Sequence, residues 1–178
     1  RIFLFSGRIM IKIIFFDRDG VLIKDYGYVY KTKHLKWLNG AIKTIKFLNQ
    51  KKIKVVVVTN QSGIGRGYFS EKDLIEFHKF MNKKLSKYSA KIDTFVYSPH
   101  YSKSKFLKYR KKSNFRKPNN GMLKFGLKKY NLSKKNAFMI GDKRTDYLAA
   151  KKTSIKFEFK KKYSLYKQIK KIIKIYNN

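Results

Sequence analysis

The sequence contains no cysteine. Disulfide bonds and thiolate metal sites are therefore excluded, and the composition fits a reducing compartment, so we expect a cytoplasmic protein. Acidic residues are also scarce, with 10 Asp and Glu against 45 Lys and Arg, which gives a formal net charge of +35. Long apolar runs are missing too: none reaches the ~18 residues that a membrane-spanning helix requires, and we predict no membrane span.

The excess of positive charge has two interpretations. The first is a protein that binds nucleic acid or an anionic surface. The second is a compositional bias towards Lys, Ile, Asn, Tyr and Phe, which we favour because the lysines are spread through every segment. Proteins that read bases or phosphates usually concentrate their charge and use Arg for bidentate contacts. We therefore expect no nucleic-acid partner, and a basic nucleic-acid-binding protein without catalysis stays as an alternative hypothesis.

The chain of 178 residues has the length of one ordinary domain. We expect residues 10–178 to form that domain and residues 1–9 to lie outside it. Apolar runs predict strands at 11–16, 53–58, 92–97, 137–140 and 155–159. Helical spacing predicts helices at 41–51, from Ser70 onwards, near 120–130, at 145–151 and at 164–176. This alternation predicts a three-layer, Rossmann-like α/β fold with a mostly parallel sheet, helices on both faces and no large cap domain.

Two short segments add detail to this prediction. The sequence from Ser70 to Asp73 resembles a capping box, which fixes the start of one helix. Gly63, Gly65 and Gly67 predict a mobile turn, and their spacing matches neither a Walker loop nor a dinucleotide fingerprint.

The few acidic residues cluster where predicted strands end. Asp17 and Asp19 follow the first strand, and Thr59 and Asn60 follow the second. Asp142 follows the fourth strand, with Asp146 four positions later. The carboxyl ends of parallel strands meet in one crevice, so these side chains are expected to lie together. Carboxylates, a hydroxyl and cationic side chains suit Mg²⁺ and a phosphate group. Taken singly each signal is weak, since a Gly-Asp pair is often only a turn and Arg-Lys-Pro only a basic loop. A calcium loop is excluded because Tyr28 stands where its bidentate Glu belongs.

The motifs DRDG at 17–20, VVVTNQSG at 56–63, RKP at 116–118 and GDK at 141–143 carry a family resemblance. Together they resemble the haloacid-dehalogenase-like (HAD) phosphohydrolases. Over residues 10–160, the segments DYGYV, TNQSG, FRKPNNGML and MIGDKRTD are most similar to the D-glycero-D-manno-heptose 1,7-bisphosphate phosphatases. The histidinol-phosphate phosphatases share the same set of motifs and form the alternative enzyme.

The resemblance implies a function for each matching position. Asp17 would be the nucleophile that forms an aspartyl-phosphate, and Asp19 the general acid and base. Thr59 and Lys117 would hold the transferring phosphoryl group. Mg²⁺ would bind Asp17, the main-chain carbonyl of Asp19, and Asp142. The implied substrate contacts are Asp25, Tyr26, Gly27, Tyr28, Asn60, Gln61, Ser62, Arg116 and Lys143. The implied reaction is hydrolysis of a sugar phosphate, the C7 phosphate of the heptose bisphosphate, by a monomer.

One departure from the family concerns zinc. Members of the family commonly hold zinc in the long loop through a Cys-x-His pair and a later Cys-x-Cys pair. The matching positions here are Ser98, His100, Ser113 and Phe115. Because most of the ligands are missing, we predict that no zinc binds. Packing among aromatic residues is a candidate substitute for holding the loop, and it would involve Tyr101, Phe106, Tyr109 and Phe115.

Overall fold

Strands and helices alternate along the chain in the computed structural model, which describes residues 10–177. The strands are β1 (Ile13–Phe16), β2 (Lys54–Asn60), β3 (Thr94–Ser98), β4 (Ala137–Gly141) and β5 (Lys156–Phe159). The helices are α1 (Ala41–Gln50), α2 (Ser62–Arg66), α3 (Glu71–Ser86), α4 (Gly121–Lys129), α5 (Arg144–Thr153) and α6 (Leu165–Asn177). The strands form one sheet in the order β3-β2-β1-β4-β5, and every pairing is parallel. The predicted α/β fold is confirmed. The expectation for residues 1–9 lies outside the described residues.

The central strand β1 is buried on both faces, which explains its continuous apolar run. Ile14 and Phe16 pack into a core cluster with residues of α1, α3 and α6. Ile13 and Phe15 point to the opposite face and pack with residues of α4 and α5. Side chains alternate between the faces of a strand, so β1 contributes equally to both helical layers.

Helix α3 begins as the sequence predicts. The Ser70 side chain accepts a hydrogen bond from the Asp73 main-chain N–H at 3.1 Å. The Asp73 carboxylate in turn accepts one from the Ser70 main-chain N–H at 2.8 Å. These two bonds complete the predicted capping box. The buried face of this helix consists of Leu74, Phe77, His78, Met81 and Leu85.

The predicted mobile turn at residues 63–67 is wrong, because this segment forms the short helix α2. The glycines there permit close packing. A Cβ on Gly63 would lie 2.2 Å from the ring of Phe69, and one on Gly65 would lie 2.7 Å from the carbonyl oxygen of Pro99. Alternate glycines therefore mark close contacts here, and only Gly67, with φ +79°, ends the helix in the left-handed region.

Within the described residues, the two long connections between elements contain little regular structure. The segment between β1 and α1 contains one 3₁₀ turn, Thr32–His34, and the segment between β3 and α4 contains another, Leu107–Tyr109. No cap domain is inserted in residues 10–177. Over the same range, every helix is too short or too polar to cross a membrane.

We expect Ser70→Ala to lower the free energy of unfolding by about 1 kcal/mol, because the substitution leaves a helix N–H without its capping partner. Urea denaturation measures this loss. Ser102→Ala is the matched control, since Ser102 is exposed in the long loop. Equal unfolding midpoints for the two variants would contradict the capping contribution.

Candidate active site

The polar residues identified in the sequence lie at the carboxyl edge of the sheet. β1 is the middle strand and pairs with β2 on one side and β4 on the other. Asp17 follows β1, Thr59 and Asn60 end β2, and Asp142 follows β4. The order of the strands changes direction at β1, and such a switch point is where open α/β sheets bind ligands.

A buried ion pair forms the centre of this edge. The ammonium group of Lys117 lies 2.8 Å from Asp17 Oδ1 and 2.6 Å from Asp146 Oδ1. It also donates a hydrogen bond to the carbonyl oxygen of Val58 at 2.8 Å. Burial alone would lower the pKa of Lys117, but the two carboxylates outweigh it and raise the pKa above its ordinary value. Lys117 therefore stays charged although it is buried.

Asn60 places Lys117 in this position. The side-chain amide of Asn60 accepts a hydrogen bond from the Lys117 main-chain N–H at 3.0 Å and donates one to its carbonyl oxygen at 2.9 Å. The end of β2 thus holds the main chain of a residue 57 positions further along. This contact brings the long loop to the edge of the sheet.

Asp146 belongs to the site, as its place in the acidic cluster predicts, although sequence analysis gave it no individual role. Its Oδ2 accepts hydrogen bonds from the main-chain N–H groups of Asp142, at 3.2 Å, and Lys143, at 3.0 Å. A Cβ on Gly141 would lie 2.3 Å from the Cβ of Asp146, so this approach requires glycine there. The carboxylate therefore shapes the turn after β4 and pairs with Lys117 at the same time. The sequence feature that indicates Asp146 is its position four residues after Asp142 in a chain with few acidic residues.

The carboxylates at this edge fit a divalent cation. Oxygen atoms of Asp17, Asp142 and Asp146 all lie within 4.8 Å of one another. Because Asp146 already binds Lys117 and two N–H groups, Asp17 and Asp142 are the better ligands. Partial desolvation and the charge of Asp17 raise the pKa of Asp142 to about 6, and a bound cation would relieve that repulsion. Hard oxygen ligands of this kind suit Mg²⁺.

Gln61 links Asp19 to Thr59. Its side-chain amide donates to Asp19 Oδ2 at 3.0 Å and to Thr59 Oγ1 at 2.8 Å. Thr59 and Gln61 are both buried. Since the hydroxyl of Thr59 accepts this bond, its own proton is available for another acceptor. Asp19 also forms an ion pair with Arg18, at 2.9 Å.

The other predicted substrate contacts lie on the segment after β1, at the start of α2 and on the turn after β4. Lys143 Nζ lies 3.3 Å from Asp25 Oδ2, and the N–H of Gly27 donates to Asp25 Oδ1 at 2.8 Å. Tyr28 is exposed and packs edge-on against Tyr68, with ring centroids 4.8 Å apart. Ser62 begins α2. Tyr26 is exposed, and its ring lies 6.2 Å from that of His34 and 4.8 Å from Lys24 Nζ.

Arg116 carries an uncompensated charge beside Arg66. Its Nη1 donates to the carbonyl oxygen of His100 at 3.2 Å. Burial and the charge of Arg66 lower the pKa of Arg116. Arg66 itself stacks on the ring of Tyr101 at 3.7 Å. Among residues 10–177, neither guanidinium has a carboxylate partner within 4.0 Å, so this side of the site is strongly positive.

The positions that match the zinc ligands do not fit zinc. They supply one imidazole, two hydroxyls and a phenyl ring, whereas structural zinc requires four nitrogen, sulfur or carboxylate ligands. In the part of the chain that the structure describes, the carboxylates near Lys117 form the one group of three possible metal ligands, and His100 is not in it. Phe115 packs on Phe125, with ring centroids 6.2 Å apart.

Glu71 holds the long loop instead. Its carboxylate accepts hydrogen bonds from the hydroxyls of Tyr109, at 2.5 Å, and Tyr97, at 2.7 Å. These bonds connect the loop to the start of α3 and to β3. Of the aromatic residues considered as a substitute, Tyr109 is buried, whereas Phe106 and Phe115 are exposed. Tyr109 thus combines its hydrogen bond to Glu71 with packing in a buried cluster that contains Ile64, Phe69 and Leu74.

Comparison with known proteins gives consistent matches. The family described as polynucleotide kinase 3 phosphatase matches residues 12–174. The D-glycero-beta-D-manno-heptose-1,7-bisphosphate 7-phosphatase of Pasteurella multocida is 39% identical over 147 residues, with 83% of this chain and 79% of that protein covered. The corresponding alpha-heptose enzyme of Photorhabdus laumondii is 31% identical, with coverages of 82% and 79%. D,D-heptose 1,7-bisphosphate phosphatase from B. bronchiseptica, complexed with magnesium and phosphate, has a TM-score of 0.74 at 28% identity, with coverages of 83% and 79%.

The parallel sheet, the Asp-x-Asp pair after its central strand and the buried Lys117–Asp17 pair define a phosphatase of the HAD class. Within that class, the chain belongs to the family described as polynucleotide kinase 3 phosphatase, and the relatives that it matches are named heptose 1,7-bisphosphate 7-phosphatases. The expected family is therefore confirmed, and the chain is an enzyme.

We expect purified protein to contain no stoichiometric zinc, because the long loop lacks a ligand set. Elemental analysis measures the zinc content directly. Phosphatase activity should also survive a zinc-selective chelator and the substitution His100→Ala, since Arg116 contacts only the main chain of His100. One zinc per chain, lost in His100→Ala, would contradict this account.

Proposed function

We propose that the chain is a Mg²⁺-dependent phosphomonoester hydrolase that removes the C7 phosphate of D-glycero-D-manno-heptose 1,7-bisphosphate through an aspartyl-phosphate. The ion pair between Lys117 and Asp17 is the main support for this mechanism. The beta anomer is the proposed substrate, since the relative with the higher identity is named for it.

Asp17 is the proposed nucleophile. Lys117 binds its Oδ1, so we assign attack on phosphorus to Oδ2. The new bond joins Oδ2 to phosphorus, and the bond from phosphorus to the sugar oxygen breaks. Asp19 gives a proton to that departing oxygen. In the second step Asp19 takes a proton from water, and the water oxygen displaces Asp17 from phosphorus to release phosphate.

The remaining groups bind the phosphoryl oxygens and balance their charge. Lys117 supplies a buried ammonium, and Thr59 supplies the hydroxyl proton that Gln61 leaves free. Mg²⁺ would be held by the Asp17 and Asp142 carboxylates and the Asp19 carbonyl, and when bound it screens the repulsion between nucleophile and phosphate. Asp146 keeps Lys117 and the turn after β4 in place.

The charge at the mouth of the site favours a substrate with two phosphates. Arg116 and Arg66 offer positive charge that no described carboxylate neutralises, and a second phosphate would pair with it. Histidinol phosphate has one phosphate and an ammonium group, which these guanidinium groups would repel. This charge supports our choice of histidinol phosphate as the second candidate substrate.

We expect wild-type protein with Mg²⁺ to release phosphate from the beta-heptose bisphosphate with a kcat/KM at least about tenfold above that for histidinol phosphate, a difference of ~1.4 kcal/mol. The panel also contains the alpha anomer, and fructose 1,6-bisphosphate serves as a control for bisphosphates in general. A preference for histidinol phosphate would reverse the proposed order of substrates.

We expect Asp17→Asn to lower kcat at least about a thousandfold, because an amide cannot replace the carboxylate nucleophile. Phosphate release measures the loss, and circular dichroism checks the fold. Asp73→Asn makes the same chemical change at an exposed capping position and should keep activity. Full Mg²⁺-dependent activity in Asp17→Asn would rule out the aspartyl-phosphate.

A further inference from the structure

Arg18, between the two aspartates of the first motif, is the bulkiest fully buried side chain among the described residues. A buried guanidinium is costly unless its donors are satisfied. Its Nη2 lies 2.9 Å from Asp19 Oδ2 and 2.6 Å from the carbonyl oxygen of Val29. Its Nη1 lies 3.2 Å from His78 Nε2. The ring of Phe77 lies beneath the guanidinium, at 5.1 Å.

His78 is an unusual partner for an arginine. Burial and the charge of Arg18 lower the pKa of His78 to about 2, so the imidazole is neutral. Arg18 can only donate, which assigns Nε2 as the acceptor and places the ring proton on Nδ1. The ring is held by stacking on Phe95, with centroids 4.1 Å apart and planes at 12°. His78 thus presents a fixed acceptor to the guanidinium.

These contacts determine the direction of the Asp19 carboxylate. Nη2 and Nε of Arg18 both lie within 3.2 Å of it, and the Gln61 amide binds the same Oδ2 that lies nearest to Nη2. Val29 directly follows the segment 25–28, whose residues are proposed to contact the substrate. Arg18 therefore connects the general acid to both that segment and α3.

We propose that Arg18, held by His78, is a positioning residue that aims the Asp19 carboxyl group at the leaving oxygen. The inference rests on the proposed function, in which Asp19 protonates that oxygen. A purely structural contribution of the Arg18–His78 pair predicts equal losses with every substrate. A positioning contribution predicts a loss only where the leaving group requires a proton.

The test uses His78→Leu, which removes the acceptor, and His78→Gln, which restores one. Single-turnover experiments with Mg²⁺ and excess enzyme measure leaving-group release, the step in which Asp19 acts as acid. The heptose bisphosphate loses a sugar alkoxide that needs protonation, whereas p-nitrophenyl phosphate loses a stable phenolate. We expect His78→Leu to slow the first substrate by about 10- to 100-fold and the second by less than about threefold. His78→Gln should recover most of the loss.

Arg18→Lys provides a second variant, because it keeps the charge but loses the two-nitrogen contact with Asp19. It should show the same selective loss on the sugar substrate, and thermal melting confirms that each variant is folded. Equal slowing of both substrates in folded variants, or no recovery in His78→Gln, would overturn the inference. A failure of the proposed function would be seen separately, because the wild-type protein would then release no phosphate from the heptose bisphosphate. That result would overturn both the proposed function and the inference about Arg18.

Discussion

The buried ammonium group of Lys117 is the constraint on which the site depends. A cation in the interior needs anionic partners, and these come from Asp17 after β1 and Asp146 on α5. Removing one partner of a buried pair typically costs about 3–5 kcal/mol, so the loop, the central strand and α5 must keep their relative positions. The same contacts orient the Asp17 carboxylate. The ion pairs of Lys117 thus contribute both to the stability of the fold and to the geometry of the proposed nucleophile.

The sparse acidic residues are concentrated where they act. In a chain of net charge +35, three of the ten acidic residues form the carboxylate group near Lys117, and Glu71 fixes the loop that carries Lys117. A positive field over the whole molecule attracts phosphorylated substrates to the site. The carboxylate cluster nevertheless offers oxygen ligands of the kind that suit a divalent cation.

The fold and the strand-end residues could be predicted because they follow from local patterns. Apolar runs determine the strands, and parallel pairing brings Asp17, Thr59 and Asp142 to one edge. Contacts between distant segments could not be predicted: the bond of His78 to Arg18 spans 60 positions. The error at Gly63 has the same origin, since nothing in the sequence indicates that the ring of Phe69 lies against it. The family resemblance supplied residue functions, but it gave no signal for the part that Glu71 plays.

The side chain of Asn60 forms two hydrogen bonds with the main chain of Lys117, as a residue in a neighbouring β-strand would do through its own main chain. These two hydrogen bonds involve only the main-chain N–H and C=O groups of Lys117. They do not depend on the side chains in the rest of the loop. The position of Lys117 relative to β2 is therefore independent of the other side chains in the loop. Other residues of the loop can therefore change while Lys117 keeps its position at the edge of the sheet.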